Sequence, residues 1–159
     1  MWLIVPRMLS RRRRALFEVK QDHWAQYGSA YRRAWASTGH GAQSADIAVA
    51  VHGFASEDDR EAKATYLAHE RRMFETASVE IGRPMRAPAG READLQKGMV
   101  FAGGPDEVAA RILSLHKLLE HSRHILQMDV GGMLHKAFLG SIELLGKEVL
   151  PRIRKALEG

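Results

Sequence analysis

Three places in this sequence concentrate side chains and backbone groups able to do chemistry, and each follows an apolar run. In "VFAGGPDE" the pair Gly103–Gly104 precedes Pro105 and two acidic residues. Amides at such a point can face an anion, because a helix N-terminus offers unpaired N–H groups and the positive end of its dipole. The same glycines can equally make a tight strand-to-helix turn that holds nothing. In "LQMDVGG" Gln127 and Asp129 alternate with Leu126, Met128 and Val130. The polar pair therefore shares one face of a strand, and the apolar set lies on the other. Asp129 could meet a ligand there or make a structural hydrogen bond. In "VAVHGFA" His52 stands near the end of an apolar run, either as a pocket residue or as a packing neighbour of a loop.

Other chemistries lack their residues. There is no cysteine, so disulfides and thiolate metal sites are excluded. His116, His121 and His124 have ring nitrogens suited to a metal. Their spacing crosses a helix end, however, and does not place three imidazoles on one face, so no metal is assigned. No G-x-S-x-G elbow and no complete Walker or dinucleotide-binding glycine motif is present.

Composition narrows the class further. Hydrophobic residues make up 45% and charged residues 27%, the balance of a soluble globular domain. No apolar run reaches the roughly 18 to 20 residues of a membrane-spanning helix. "MWLIVP" is too short for a signal-peptide core, and arginines follow it instead of preceding it. A cytoplasmic location without membrane contact is expected. Residues 1–33 hold eight basic and two acidic side chains, a net of +6 within a total of +5. The run Arg11 to Arg14 could grip phosphates. No aromatic side chain is interleaved with it to stack on bases, so a solvated arm is the simpler reading and nucleic acid is not expected as a partner.

The elements that must position these residues follow from periodicity. Trp24, Tyr27, Tyr31, Ala34 and Trp35 recur at helical spacing from Gln21 to Ser37. "DIAVAVHGFA" reads as a buried strand. "SEDDREAKATYLAHERRMF" reads as a helix with a serine cap and an acidic first turn, Tyr66, Met73 and Ala77 supplying its inner stripe. A long loop from Gly82 to Gly98 contains two prolines and three glycines. A strand ends at Gly103–Gly104, and a helix follows with Val108, Ile112, Leu115 and Leu119 on one face. "SRHILQMDVGG" is the next strand. A closing helix presents Phe138, Ile142, Leu145 and Val149, and Pro151 is expected to kink its last turns. Strands alternating with helices imply right-handed crossovers and a parallel sheet, with ligands at the strands' C-terminal ends.

In "YRRAWASTGHG", "VAVHGFASEDDREAKATYLAHERRM", "VFAGGPDEVAARILSLHKLLEHSRHILQMDVGG" and "SIELLGKEVLPRIR" the sequence resembles the second half of luciferase-like monooxygenases. The likeness runs from about Gln21 to Leu157 and is most specific where the Gly-x-Pro-Asp-x-Val helix start precedes the Leu-Gln-Met-Asp-Val-Gly-Gly strand end. That family implies a (β/α)8 barrel about twice this length. Its members use reduced FMN or the deazaflavin F420 to oxidise small organic substrates by peroxyflavin chemistry or hydride transfer. The expected fold is therefore α/β, parallel strands alternating with helices, an incomplete (β/α)8 barrel of the last three to four βα units. Residues 1–20 form a divergent basic segment, and residues 21–159 form the family's C-terminal half. In a barrel Gln127 and Asp129 would point inward. With His52, Gly103 and Gly104 they are the candidate cofactor-binding residues; no catalytic residue is assigned. By spacing, the family's phosphate-approaching Gly-Gly turn falls on Glu18 and Val19, where a carboxylate would repel a phosphate.

Three or four strands cannot close such a barrel. Two functions are therefore expected as alternatives. One is a truncated flavin-dependent monooxygenase completed as a homodimer or by an N-terminal half encoded separately. The other is a non-catalytic, self-associating half-barrel without flavin.

Overall fold

In the strand expected at "DIAVAVHGFA", small residues alternate with valines, so neighbouring chains can approach it closely. It forms β2 (Ala48–Ala55), and among the described residues every other strand pairs with it. The computed structural model describes residues 2–4, 21–39, 45–85, 95, 98 and 100–158. Within these, β1 (Trp2–Ile4) runs antiparallel along Ala48 to Ala50. β3 (Val100–Gly103) runs parallel along His52 to Ala55, and β4 (Arg123–Gln127) runs parallel along Ala48 to His52. Between them lie α1 (Gln21–Ser37), α2 (Asp59–Ile81) and α3 (Pro105–Leu119). The chain closes with α4 (His135–Leu144), a π-helical turn (Leu145–Val149) and α5 (Leu150–Glu158). The fold is the expected α/β arrangement of three parallel strands alternating with helices, in the order β3–β2–β4. β1 is an addition that the periodicity did not announce. Glu18, Val19 and the Arg11 to Arg14 run lie outside the described residues.

Gly53 shows how tightly β2 is gripped. A Cβ placed there would stand 2.7 Å from Cδ2 of Leu126 and 2.9 Å from the Phe101 carbonyl oxygen. Any side chain at this position would push β3 or β4 away.

Alternation along the strands sorts the core into two clusters. Val49, Val51 and Phe101 pack with Val108, Ile112, Leu115 and Leu119 of α3, with Trp24 of α1 and with Val149. Phe54, Val100 and Ala102 point to the other face, where they meet Ala62 and Tyr66 of α2, Leu95, Val130 and Met133. The α3 stripe is as expected. On α2, Tyr66 is buried while Met73 and Ala77 are only half-buried; Ala62 and Glu70 complete the inner face. Burying Glu70 requires a partner, and the Tyr66 hydroxyl donates to it at 3.1 Å.

Two local expectations are corrected. The cap of α2 is Asp58, not Ser56: its extended backbone lets its carboxylate accept from the Glu61 amide at 2.8 Å. The distortion assigned to Pro151 appears before it, as the π-helical turn. A proline ring collides with the carbonyl four residues back and donates no hydrogen bond, and a wider turn relieves both. The wider turn also rotates the seam, so Val149 is buried but Ile142 is 44% exposed.

The turn after β4 gives a sharp comparison. Gly131 and Gly132 both have positive φ, +64° and +66°. A Cβ on Gly131 would collide with the His69 carbonyl of α2, whereas one on Gly132 would meet open space. Gly132→Ala should therefore cost only the left-handed penalty, about 1–2 kcal/mol. Gly131→Ala should cost clearly more, because α2 must also move. Urea unfolding of the two variants checks this, and equal losses would contradict the crowding.

Candidate functional site

The C-terminal ends of β2 and β3 are stitched to each other and to helices of other strand-helix units. The Ala55 amide donates to Oγ of Ser141 in α4 at 2.8 Å, and the Ser56 amide donates to the Gly103 carbonyl at 3.3 Å. The Gly104 amide donates to Oδ1 of Asp59 at 2.5 Å. Asp59 sits in the first turn of α2, so one carboxylate ties the end of β3 to the start of that helix. At Gly104 a carboxylate from within the chain thus stands where an external anion was one of two readings.

Gly103 is equally engaged. The Glu107 side chain packs against it so closely that a Cβ would lie 2.9 Å from Oε2. Lys63 of α2 reaches Glu107 at 2.5 Å, and Arg111 lies 3.7 Å from its other oxygen. Burial lowers the Arg111 guanidinium from its ordinary value, while Glu107 acts in the opposite direction. Arg111 also lies 4.8 Å over the Phe101 ring and donates to the carbonyls of Leu95 and Gly98. It fastens the chain leading into β3, which positions the glycine turn.

The other candidates share the same end of the sheet. His52 and Gln127 are direct register partners between β2 and β4, and His52 is also the register partner of Val100 in β3. His52 is half-buried. Gln127 and Asp129 are exposed, and Met128 and Val130 are buried, but β4 ends at Gln127, and Leu126 and Val130 pack in different clusters instead of sharing the expected strand face. His52 and Gln127 therefore come together, with Asp129 just beyond the strand. Gly103 and Gly104 end the strand on the far half of β2, beside Ala55.

A second constellation emerges that the spacing had kept apart. Glu120 closes α3 in a left-handed conformation, with φ at +48°. This reverses the chain and carries His121 back over His116. Nδ1 of His116 lies 2.9 Å from the His121 carbonyl, and Nε2 of His121 lies 3.1 Å from Nδ1 of His124. The His124 ring stacks on Phe101, centroids 5.4 Å apart, so Phe101 carries Arg111 and His124 alike. Burial, then the neighbouring His116, lowers His121 to about 4. Burial, then His121, lowers His124 to about 4. Among the described residues no group of histidines and carboxylates is arranged to hold a metal ion. Three histidines within nine residues around a helix end were the available signal.

No family model matches the chain, and no curated protein matches it. Solved structures do. The monooxygenase RslO1 from Streptomyces bottropensis is 21% identical with a TM-score of 0.64, over 82% of this chain and 38% of its own. Apo-MsnO8 is 20% identical with a TM-score of 0.59, over 80% of this chain and 41% of its own. The oxygenating constituent of 3,6-diketocamphane monooxygenase from the CAM plasmid of Pseudomonas putida was solved with FMN. It is described as a type II Baeyer-Villiger monooxygenase and is 24% identical with a TM-score of 0.58, over 86% of this chain and 41% of its own. The likeness is one of fold, and the chain spans about two-fifths of each of these proteins.

Two outcomes follow from the geometry. Asp59→Ala leaves the Gly104 amide without its carboxylate and should destabilise the chain by about 1–3 kcal/mol in urea unfolding. A stability unchanged within error would contradict the tie between α2 and β3. The histidine pair makes stability depend on pH. Both folded values lie below the ordinary histidine value of 6.5, so the unfolded chain binds more protons as pH falls from 6.5 toward about 4. The contribution is fully present above that window and is lost through it. Unfolding midpoints across the window should fall, and less so in a His121→Gln/His124→Gln variant.

Proposed function

We propose that this chain is the C-terminal portion of a flavin-dependent monooxygenase of the luciferase-like type, an oxidoreductase whose pocket is completed by further strands from a second copy or from an N-terminal half. The observation that carries this reading is the likeness of fold to three monooxygenases over four-fifths or more of this chain, one of them solved with FMN. The rim where His52, Gln127 and Asp129 gather is where ligands bind in parallel α/β folds. FMN, when bound, supplies the oxygen chemistry, and F420 would supply hydride transfer. A small organic substrate is implied in either case.

The described residues do not fit the phosphate of such a cofactor at the glycine turn. Gly104 already donates to Asp59, and Glu107 crowds Gly103. Two carboxylates would face the incoming phosphate, so no step is routed through that turn. The proposed chain contributes scaffold and rim, and the phosphate site is left to the completing strands. The same observation favours a second reading, a self-associating half-barrel that binds no flavin.

Titration of the purified chain with FMN and, separately, F420, following cofactor fluorescence together with light scattering, discriminates the two. Saturable binding on the order of micromolar by a dimer or larger assembly, and not by the monomer, is expected. A well-folded assembly that binds neither cofactor would sink the flavin reading and leave the half-barrel.

A further inference from the structure

A cavity of about 620 Å³ lies between α3, β4 and the terminal helix, and none of the five rim candidates lines it. Its size falls within the roughly 300–1,000 Å³ of small-molecule sites. Ile112, Leu126 and Ile153 contribute to an apolar wall, and His116, His121, Ser122 and His124 supply its polar groups. His121 is 4% exposed, yet its Nδ1 has no hydrogen-bond partner, and neither does the buried Nε2 of His124. Buried polar atoms are rarely left unsatisfied, and each one costs stability unless something meets it.

The ring chemistry defines what can meet them. His121 and His124 share a single hydrogen bond between Nε2 and Nδ1. Two neutral imidazoles joined in this way carry one N–H and one lone pair at their outer nitrogens, in one order or the other. The outer nitrogens are the two unpartnered atoms. With both rings neutral at neutral pH, the pair offers no positive charge to a carboxylate. A hydrocarbon would leave both nitrogens bare. A hydroxyl both donates and accepts, so it suits either order of protons without bringing charge into an apolar wall.

We propose that this cavity is a binding site for a neutral apolar alcohol or phenol, its hydroxyl hydrogen-bonded to Nε2 of His124 and its hydrocarbon body held between α3 and the terminal helix. The site is separate from the strand-end rim and does not depend on flavin binding.

Thymol, p-cymene and cumate test this on the full chain, since they share a p-cymene-like body and differ in their polar group. Calorimetric titration at neutral pH should show one thymol per chain, bound roughly tenfold or more tighter than p-cymene, with cumate weakest. The ring ¹⁵N resonance of Nε2 in His124 should shift with thymol and not with p-cymene. In His124→Phe the preference for thymol over p-cymene should collapse to near unity while p-cymene still binds. Equal affinities for thymol and p-cymene, a preference for cumate, no binding by the folded chain, or an unmoved His124 resonance at thymol saturation would each overturn the proposal. Because the resonance is read on the unmodified protein, it decides even if the phenylalanine variant does not fold.

Discussion

Everything in this fold depends on one eight-residue strand being shared. β2 gives its first half to β1 and β4 and its second half to β3. The sharing requires close backbone approach, and alanines at 48 and 50 with glycine at 53 permit it. Val49 and Val51 share the Gly53 face and anchor α1 and α3, while Phe54 points the other way. One short stretch thus satisfies the hydrogen bonding of the sheet while seeding an apolar cluster on each face. The helices are placed by that division, and the helix starts then meet the strand ends.

Where they meet, charge replaces ligand. Around the end of β3, Asp59 meets the Gly104 amide, and beside it Lys63, Glu107 and Arg111 form a connected set. Helix N-termini attract anions, and here the attraction is answered from within the chain. A glycine-rich strand-to-helix turn therefore has two physical outcomes that look alike in sequence. What separates them is whether another element brings a carboxylate of its own.

This explains what could be read from the sequence and what could not. The helical stripe of α3, the alternation of Gln127 and Asp129 with Met128 and Val130, and the parallel α/β order are periodic features, and periodicity is local. The Asp59 to Gly104 bond spans 45 residues, and its donor is a backbone amide that carries no residue signature. The histidine chain was hidden for a different reason. His116 and His121 meet only because Glu120, a residue with a side chain, adopts a left-handed conformation. β1 was hidden because three residues are too few for a pattern.

The terminal helix serves both apolar clusters although a regular helix of its length would present a single seam. Ala137 and Phe138 pack with the Phe54 cluster, while Leu144, Leu145, Val149 and Ile153 pack with the Val49 cluster. The change of cluster falls between Phe138 and Leu144, and the π-helical turn at Leu145–Val149 then adds one extra residue that advances the face of everything after it. The helix behaves as a spliced joint between two differently aimed segments. In such a joint, insertions and deletions are not interchangeable with substitutions. Losing any one residue across the splice would re-aim α5 as a whole, while the residues flanking it could change identity and leave both segments docked.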